Sequence, residues 1–256
     1  MIRGLYTSAT GMMAQYQKMD TITNNLANVN TTGYKKDEVI TSSFQEELTK
    51  RINDISNYPL KSKAKNIGKM SLGVQVDEIF TNFTQGSLKE TQDSFDLALE
   101  GPGFFTIRVQ EGNESVERYT RDGSFELDDQ NRMITTEGYI VMGQEGEIIV
   151  PDGDMMINEA GEIFVEGEYI DQLQLISFED PSVLRKIGDN LLSAENASSK
   201  PFTGKVVQGF LESANVNPVR EMVDMITSLR VYEASQKALQ TQDQTLEKII
   251  NEVGKV

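Results

Sequence analysis

The chain has 256 residues, which is enough for one large domain or two ordinary domains with a substantial core. It contains neither Cys nor His, so disulfides and thiolate metal sites are excluded, and the commonest metal ligand and general base are missing. A formal net charge of −16 opposes nucleic acid and anionic membrane surfaces as partners, since both attract clusters of Lys and Arg.

The excess negative charge is confined to the middle of the chain. Residues 1–30 carry a net charge of +1 and residues 216–256 a net charge of −1, whereas residues 31–215 hold 17 basic and 33 acidic side chains. We expect the neutral ends to be buried in contacts while the middle faces solvent, with plain solubility as the alternative explanation. No segment approaches the roughly 20 apolar residues of a membrane span. Residues 4–14 contain too many Thr, Ser and Gly for the core of a cleaved signal peptide.

A helical repeat runs through the first thirty residues. Mostly apolar side chains recur at alternating spacings of four and three, the pattern of a coiled-coil seam held for about four heptads. The seam positions are Met1, Leu5, Ser8, Met12, Gln15, Met19, Ile22, Leu26 and Val29. Turn formers from Asn30 to Gly33 should end the helix near Asn30, with Gly33 in a left-handed conformation. Gly4 and Gly11, one heptad apart, either permit close approach of another helix or are chance small residues on a solvent face.

Residues 31–72 are predicted to form an extended or helical contact segment. One helical face within it would be apolar, which favours a second helix. That face comprises Phe44, Leu48, Ile52 and Ile55. Residues 56–71 are polar, contain Pro and are locally basic, most of all from Lys61 to Lys69. This composition predicts either an exposed flexible loop or a contact arm.

From residue 73 to residue 215 the hydrophobic pattern becomes that of short strands. The apolar runs are 74–76, 104–109, 139–142, 148–150, 163–165 and 173–178. Turn signals separate them, at Asp122-Gly123, Glu137-Gly138, Asp152-Gly153 and Ala160-Gly161. We therefore predict a central, mainly antiparallel β domain over 73–215, and an α+β fold in which helical ends flank this domain.

The last forty residues carry a second helical seam. Asn217 should cap this helix and Pro218 should occupy its first position. The seam runs at spacings of three and four through Val219, Met222, Ile226, Leu229, Tyr232, Gln236, Leu239, Asp243, Leu246, Ile250 and Val253. One pair of successive steps of three breaks the alternation and would locally overwind a supercoil. We expect residues 1–30 and 216–256 to pair with each other or with neighbouring copies, and to be frayed in the monomer and ordered on assembly.

No constellation of residues nominates a catalytic, cofactor or metal site. Gly101-Pro102-Gly103 lacks the third glycine of a dinucleotide site and the Lys of a phosphate loop, so a turn between two strands is expected. Residues 128–131 and 152–154 superficially resemble calcium loops but lack Gly at the sixth position and Glu at the twelfth, which favours hairpin tips. A carboxylate pair or a Ser and Lys dyad stays formally open, yet nothing singles one out. We predict no catalytic residues, no cofactor and no metal.

Four segments resemble signatures of the bacterial flagellar axial proteins, the family of rod, hook and hook-associated subunits. Residues 24–35 (NNLANVNTTGYK) resemble the N-terminal signature, and residues 97–105 (LALEGPGFF) resemble the central motif of the rod and hook group. Residues 215–222 (NVNPVREM) and 230–234 (RVYEA) resemble the C-terminal signature. The motif positions carried over are Asn24, Asn25, Leu26, Ala27, Asn28, Gly33, Tyr34, Asn215 and Asn217.

Within this family, residues 2–12 (IRGLYTSATGM) and 83–88 (FTQGSL) look most like a distal rod protein, and a proximal rod protein is the alternative. The length agrees, because hook proteins are usually longer and small proximal rod proteins shorter. The basic stretch from Lys61 to Lys69 departs from the pattern, in the region where distal rod proteins are thought to carry a contact arm. Its role stays open.

The resemblance implies a structural subunit, not an enzyme, that stacks helically into a hollow rod and carries torque from the flagellar motor to the hook. It implies a coiled-coil-like inner domain built from both terminal helices, with the β domain outside. The implied partners are other copies, neighbouring rod proteins, the hook protein and the flagellar type III export apparatus, which needs no cleaved signal. The implied location is the flagellar basal body, crossing the cell envelope.

Two other functions are weighed against this one. An exported β-domain binding module on a coiled-coil stalk should bind ligand as a small closed oligomer, whereas a rod subunit should form open tubes or stay monomeric until nucleated. An enzyme that hydrolyses cell-wall glycan through a carboxylate pair should lose turnover on substitution of one Asp or Glu. We rank the binding module second and the enzyme third.

Overall fold

The described part of the chain contains two long helices and twenty strands. The computed structural model describes residues 2–51, 65–111, 114–194 and 197–253. The helices are α1, Ile2–Ala27, and α2, Pro218–Val253. The strands are β1 Asp37–Ser43, β2 Glu47–Arg51, β3 Lys65–Met70, β4 Val74–Thr81, β5 Leu88–Glu90, β6 Leu97–Glu100, β7 Phe104–Glu111, β8 Glu114–Thr120, β9 Phe125–Leu127, β10 Met133–Thr135, β11 Ile140–Val141, β12 Met155–Ile157, β13 Glu162–Val165, β14 Glu168–Gln172, β15 Leu175–Phe178, β16 Arg185–Gly188, β17 Leu191–Ser193, β18 Ser199–Pro201, β19 Lys205–Gln208 and β20 Phe210–Glu212. A short 3-10 helix, Pro181–Val183, lies between β15 and β16.

The chain divides into two compact units. The first, called the helix–ribbon unit, comprises Met1–Asn24, Asp37–Phe80 and Val219–Val256. The second, called the β unit, comprises Asn25–Lys36 and Thr81–Pro218. Terminal helices on either side of a mainly antiparallel, sheet-rich middle confirm the coarse α+β prediction. In the part of the chain that the structure describes, neither helix has the length and apolarity to cross a membrane.

The β unit is built around a nine-stranded sheet whose longest hairpin is β7–β8. Three-stranded β12–β13–β14 and the two-stranded pairs β6–β19 and β5–β20 complete this unit. Alternate residues of β7, such as Phe105 and Ile107, enter one apolar core, because side chains of a strand point in turn to opposite faces. Leu97, Met133 and Ile163 are equally inaccessible there. Full burial of each such side chain stabilises the fold by about 1.5–3 kcal/mol.

The helix–ribbon unit contains two strand pairs, β1–β4 and β2–β3. The predicted second helix is wrong for Glu47–Arg51, which forms β2 in an antiparallel pair with Lys65–Met70. The backbone N–H and C=O groups of this segment form hydrogen bonds with the neighbouring strand and not within a helix. The spacing of apolar residues along the sequence does not reveal this choice. Ile52 and Ile55 of that predicted face lie outside the described residues.

Several local predictions are confirmed. Helix α1 ends at Ala27, close to the expected stop, and Gly33 has a φ of +66° in the left-handed region. Pro218 is the first residue of α2. Residues 101–103 join β6 to β7 as a turn. The prediction of a strand at residues 148–150 is not confirmed, because Ile149 forms only an isolated bridge, with Arg132.

Candidate assembly surfaces

The predicted seam of α1 lies on the sheltered side of that helix. Ile22 is buried and the other described members are half-buried. Those half-buried members are Leu5, Ser8, Met12, Gln15, Met19, Leu26 and Val29. None of the described seam positions of α1 is exposed. The structure therefore leaves this seam in contact with other parts of the chain.

Within the helix–ribbon unit, α1 and α2 run side by side in opposite directions. A Cβ added at Gly4 would lie 2.6 Å from Gln242 Nε2, and one added at Gly11 would lie 3.8 Å from Ser235 Oγ. Seven residues towards the C-terminus of α1 thus correspond to seven residues towards the N-terminus of α2, as expected for an antiparallel pair. Gly4 is a site of close approach to α2, whereas Gly11 has room for a methyl group.

On the face of α2 directed at α1, sheltered residues recur in an unbroken heptad pattern, but only about half of them are apolar. The sheltered positions alternate between polar and mostly apolar side chains at steps of four and three. The polar members, seven residues apart, are Glu221, Ser228, Ser235 and Gln242, and the alternating members are Met225, Tyr232, Leu239 and Leu246. Gln242 Oε1 is buried and has no hydrogen-bond partner among the described residues. Every second layer of this helix pair is therefore polar or small.

A different face of α2 exposes the first half of the predicted C-terminal seam. These large apolar side chains are 45–66 % exposed. They are the predicted seam residues Val219, Met222, Ile226 and Leu229 together with Val223, which the predicted seam does not include; we call these five residues the α2 outer patch. Of the remaining predicted seam residues that were proposed as assembly positions, Tyr232, Leu239 and Leu246 are half-buried and Ile250 is exposed. The predicted C-terminal seam thus combines two faces of one helix.

Helix α1 also has an exposed apolar face, on a different side of the helix from its seam. Tyr6, Met13 and Tyr16 are 61–72 % exposed and recur at spacings of seven and three, so they share one side of the helix. We call them the α1 outer stripe. Tyr6 to Tyr16 and Val219 to Leu229 each cover ten residue steps, or about 15 Å of helix. The two exposed surfaces are therefore of equal length.

The signature segments meet in the β unit around a buried group of charges. Glu212 Oε1 accepts a hydrogen bond from Lys35 Nζ at 2.5 Å, and Glu212 Oε2 accepts one from Arg121 Nε at 2.6 Å. The side chains of all three residues are at most 5 % exposed. The Gly86 N–H donates to Glu212 Oε1 at 2.8 Å. We call Lys35, Arg121 and Glu212 the ion cluster.

Arg121 extends the ion cluster to the central motif. Its guanidinium donates to the carbonyl oxygens of Leu99, at 2.7 Å, and Gly103. Leu99 lies within β6 and Gly103 directly precedes β7, so these carbonyls lie on either side of the bend between the two strands. A planar group with five N–H donors suits this task, because it can bind a carboxylate and two carbonyls at once.

Backbone and amide bonds join the first signature to the C-terminal signature. The Gly33 N–H donates to the Glu212 carbonyl at 2.8 Å, and the Lys36 N–H donates to Asn215 Oδ1 at 2.7 Å. Asn215 Nδ2 in turn donates to the Asn82 carbonyl at 2.7 Å. Because these bonds connect three distant stretches of chain, the positions of Gly33 and Asn215 are fixed by one shared network.

Burial and charge oppose each other inside the ion cluster. Burial raises the pKa of Glu212, but the positive charges of Arg121 and Lys35 and the hydrogen bonds it accepts outweigh this, so its pKa is lowered. Burial lowers the pKa of Lys35, and the attraction of Glu212 only partly offsets that effect. One carboxylate thus balances two buried cations incompletely.

The motif residues suggested by the family resemblance fall into three groups by burial. Asn25, Gly33 and Tyr34 are buried, with Tyr34 Oη donating to Asn25 Oδ1 at 3.1 Å. The half-buried members are Leu26, Asn28 and Asn215, and the exposed members are Asn24, Ala27 and Asn217. Sequence reasoning did not identify the ion cluster. Lys35 lies inside the first signature and Glu212 just before the C-terminal one, whereas Arg121 lies outside all four segments and carries no such signal.

In the described part of the chain, no group of three or more acidic side chains is placed to hold a metal ion. Three family models match the sequence. They describe a flagella basal body rod protein over residues 5–35, a flagellar hook protein FlgE/F/G D1 domain over residues 98–165, and a flagellar basal body rod FlgEFG protein C-terminal region over residues 207–252.

Relatives match over nearly the whole chain. The flagellar basal-body rod protein FlgG of Buchnera aphidicola is 33 % identical over 262 residues, covering 97 % of this chain and 99 % of its own. FlgG of Borreliella burgdorferi is 34 % identical, covering 96 % of this chain and 97 % of its own. The flagellar hook-basal body complex protein FlhO of Bacillus subtilis is 29 % identical over the full length of both chains. The chain therefore belongs to the flagellar basal-body rod proteins, as a FlgG-like structural subunit of the rod.

Proposed function

We propose that this subunit polymerises helically, through its terminal helices, into a hollow shaft that transmits torque to the hook. The observation that carries this proposal is the exposed α2 outer patch, five large apolar side chains on one helical face. A soluble monomer gains nothing from such a surface, and contiguous apolar patches of this kind mark interaction sites. Burial against a neighbour stabilises a contact by about 25 cal/mol per Å² of apolar area.

The half-polar α1–α2 pairing supports the same proposal. Polar or small residues in every second layer reduce the apolar area that the pair buries within one chain. We infer that α1 and α2 form a coiled-coil-like pair that is weak in the monomer and gains support from neighbouring copies. Folding of the ends and polymerisation would then be coupled.

The proposal assigns a role to each part of the chain. Residues 1–30 and 216–256 would form the assembly domain, residues 31–72 a contact segment and residues 73–215 the outer β domain. The partners would be other copies, neighbouring rod proteins and the hook protein, reached after export by the flagellar type III apparatus. We infer a structural role without catalysis, and a distal place in the rod, since FlgG relatives match the whole chain.

One substitution with a matched control tests the assembly surface. Ile226→Asp places a charge in the α2 outer patch, where the side chain is half exposed in the monomer and folding should be unaffected. An unpaired charge buried between subunits costs several kcal/mol, so we expect polymerisation to stop. Gln244→Asp adds the same charge on the same helical side, five turns further along. It should polymerise normally.

The readouts are electron microscopy of polymers and restoration of motility in a strain that lacks the native gene. Circular dichroism of both variants verifies that the fold persists. Normal polymers from Ile226→Asp, or equal losses from both variants, would contradict the assignment of the α2 outer patch. Leu26→Asp, in the α1 seam, should also prevent polymerisation while leaving the β domain of residues 73–215 folded.

A further inference from the structure

A cavity of about 610 Å³ lies in the β unit beside the ion cluster. Its volume is within the roughly 300–1,000 Å³ that is typical of ligand sites. Lys35 and Arg121 contribute to its lining. The assembly surfaces described above belong to the helix–ribbon unit, so polymerisation through them does not account for this cavity.

Aromatic and proline side chains form the apolar wall of the cavity. Phe104 lies between Phe83 and Phe178, with ring centroids 5.8 Å apart in both contacts. Pro102 and Pro181 line the cavity as well. Rings and prolines lose little conformational entropy when a ligand binds. The wall is therefore a rigid surface suited to an apolar side chain.

The charged end of the cavity is positive, unlike the chain as a whole. Lys35 and Arg121 share the single carboxylate of Glu212. An ammonium group has three donors, and the hydrogen bonds of Lys35 Nζ go to Glu212 and the Thr84 carbonyl. A second anion near these groups would offset a buried positive charge that one carboxylate leaves uncompensated.

A further cation lies at the rim of the cavity. Lys200 Nζ pairs with Glu179 Oε1 at 2.7 Å, and both side chains are more than half exposed. Both residues line the cavity. An exposed pair of this kind is weak, so Lys200 is available to an incoming anion at little cost.

We propose that this cavity binds a peptide carboxylate, an Asp or Glu side chain next to an apolar residue, on a partner protein. The aromatic wall accepts the apolar side chain, and the positive end accepts the carboxylate. A free inorganic anion would leave the wall unused, whereas an uncharged peptide would leave the positive end uncompensated. The proposal does not depend on polymerisation.

Two blocked peptides that differ only in charge test the proposal. N-acetyl-Leu-Asp-Leu-amide and N-acetyl-Leu-Asn-Leu-amide are titrated, up to about 10 mM, into the isotope-labelled full chain and followed by NMR. We expect saturable shifts at the cavity residues Gly101, Gly103 and Thr203 with the Asp peptide. The Asn peptide should bind at least about tenfold more weakly, because charge-assisted bonds are the stronger ones.

Matched lysine variants separate specific binding from general attraction. Lys200→Glu should weaken the Asp peptide by at least about threefold, since it reverses the rim charge. Lys205→Glu makes the same change at an equally exposed lysine outside the cavity, paired with Glu159 at 2.7 Å, and should not affect binding. Equal binding of the two peptides, equal effects of the two variants or the absence of saturable shifts at the cavity would each overturn the proposal.

Discussion

Replacing Glu212 by Gln tests how much of the stability of the β unit depends on the ion cluster. The Glu212 carboxylate contacts Lys35 Nζ at 2.5 Å and Arg121 Nε at 2.6 Å, and its side chain is 1 % exposed. Gln preserves the shape and still accepts the hydrogen bond from the Gly86 N–H. The substitution removes the negative charge and replaces the acceptor Oε2 by an amide N–H2 group that faces the Arg121 N–H. Two buried cations are thereby left without their anion.

The expected loss is large relative to the stability of a domain. Breaking a buried ion pair from one side costs about 3–5 kcal/mol, and domains are stable by only about 5–15 kcal/mol in total. Glu147→Gln is the matched control, because Glu147 pairs with Arg108 at 2.8 Å with both side chains about a third exposed. Partly exposed pairs contribute about 0–1 kcal/mol, so this variant should remain near the parent stability.

The assay is urea unfolding monitored by amide exchange at β-unit residues such as Phe105 and Ile107, because the two units need not unfold together. A loss below about 1 kcal/mol for Glu212→Gln, or a loss equal to that of Glu147→Gln, would refute the reasoning. Adding Lys35→Met to Glu212→Gln should restore part of the stability, because it removes one uncompensated cation. Additive losses in the double variant would also count against the ion cluster.

Three further predictions concern the helices and one buried acid. Gly11→Ala should raise the thermal stability of the helix–ribbon unit by up to about 1 kcal/mol, and Gly4→Ala by less, because only the latter must displace Gln242; equal gains in melting experiments would contradict the close approach at Gly4. Burial raises the pKa of Asp122 above its ordinary 3.8, despite hydrogen bonds that lower it. The stability that this group contributes is therefore present below pH 3.8 and lost as pH rises. The free energy of unfolding of Asp122→Asn, measured by urea titration, should rise relative to that of the parent from acid to neutral pH. A difference between the two proteins that does not change with pH would contradict this prediction. In the isolated monomer, amides of residues 2–27 should exchange faster than those of the β-unit core, and equal protection would show that α1 does not await assembly.

Apolar spacing predicted both helices but not every side chain that they shelter. In α1 the described seam positions are sheltered, yet so are Ala14, Thr21 and Asn25, which the spacing does not select. In α2 every second sheltered position is polar or small, as at Ser228 and Ser235, and hydrophobic spacing therefore follows the exposed Ile226 and Leu229 first. The apparent break in the predicted seam marks the change from one face to the other.

The ion cluster illustrates a different limit. Lys35 and Glu212 are 177 residues apart and Arg121 and Glu212 are 91 apart, and no local pattern relates charges across such distances. Periodicity and turn residues correctly predicted many strands and the left-handed Gly33, because those signals act between near neighbours. Strand β2 was missed for the same reason as the ion cluster, since its backbone partners lie in another segment of the chain, β3.

The long reach of the Lys35–Glu212 pair also orders events during synthesis. Strands β5 and β6 pair with β20 and β19, so the early part of the β unit has no complete set of neighbours until residue 212 has left the ribosome. A nascent chain released before that point lacks both the closing strands and the carboxylate that pairs with Lys35 and Arg121. The native β unit is thus a product of near-complete translation, and truncated products should be readily distinguished by proteases.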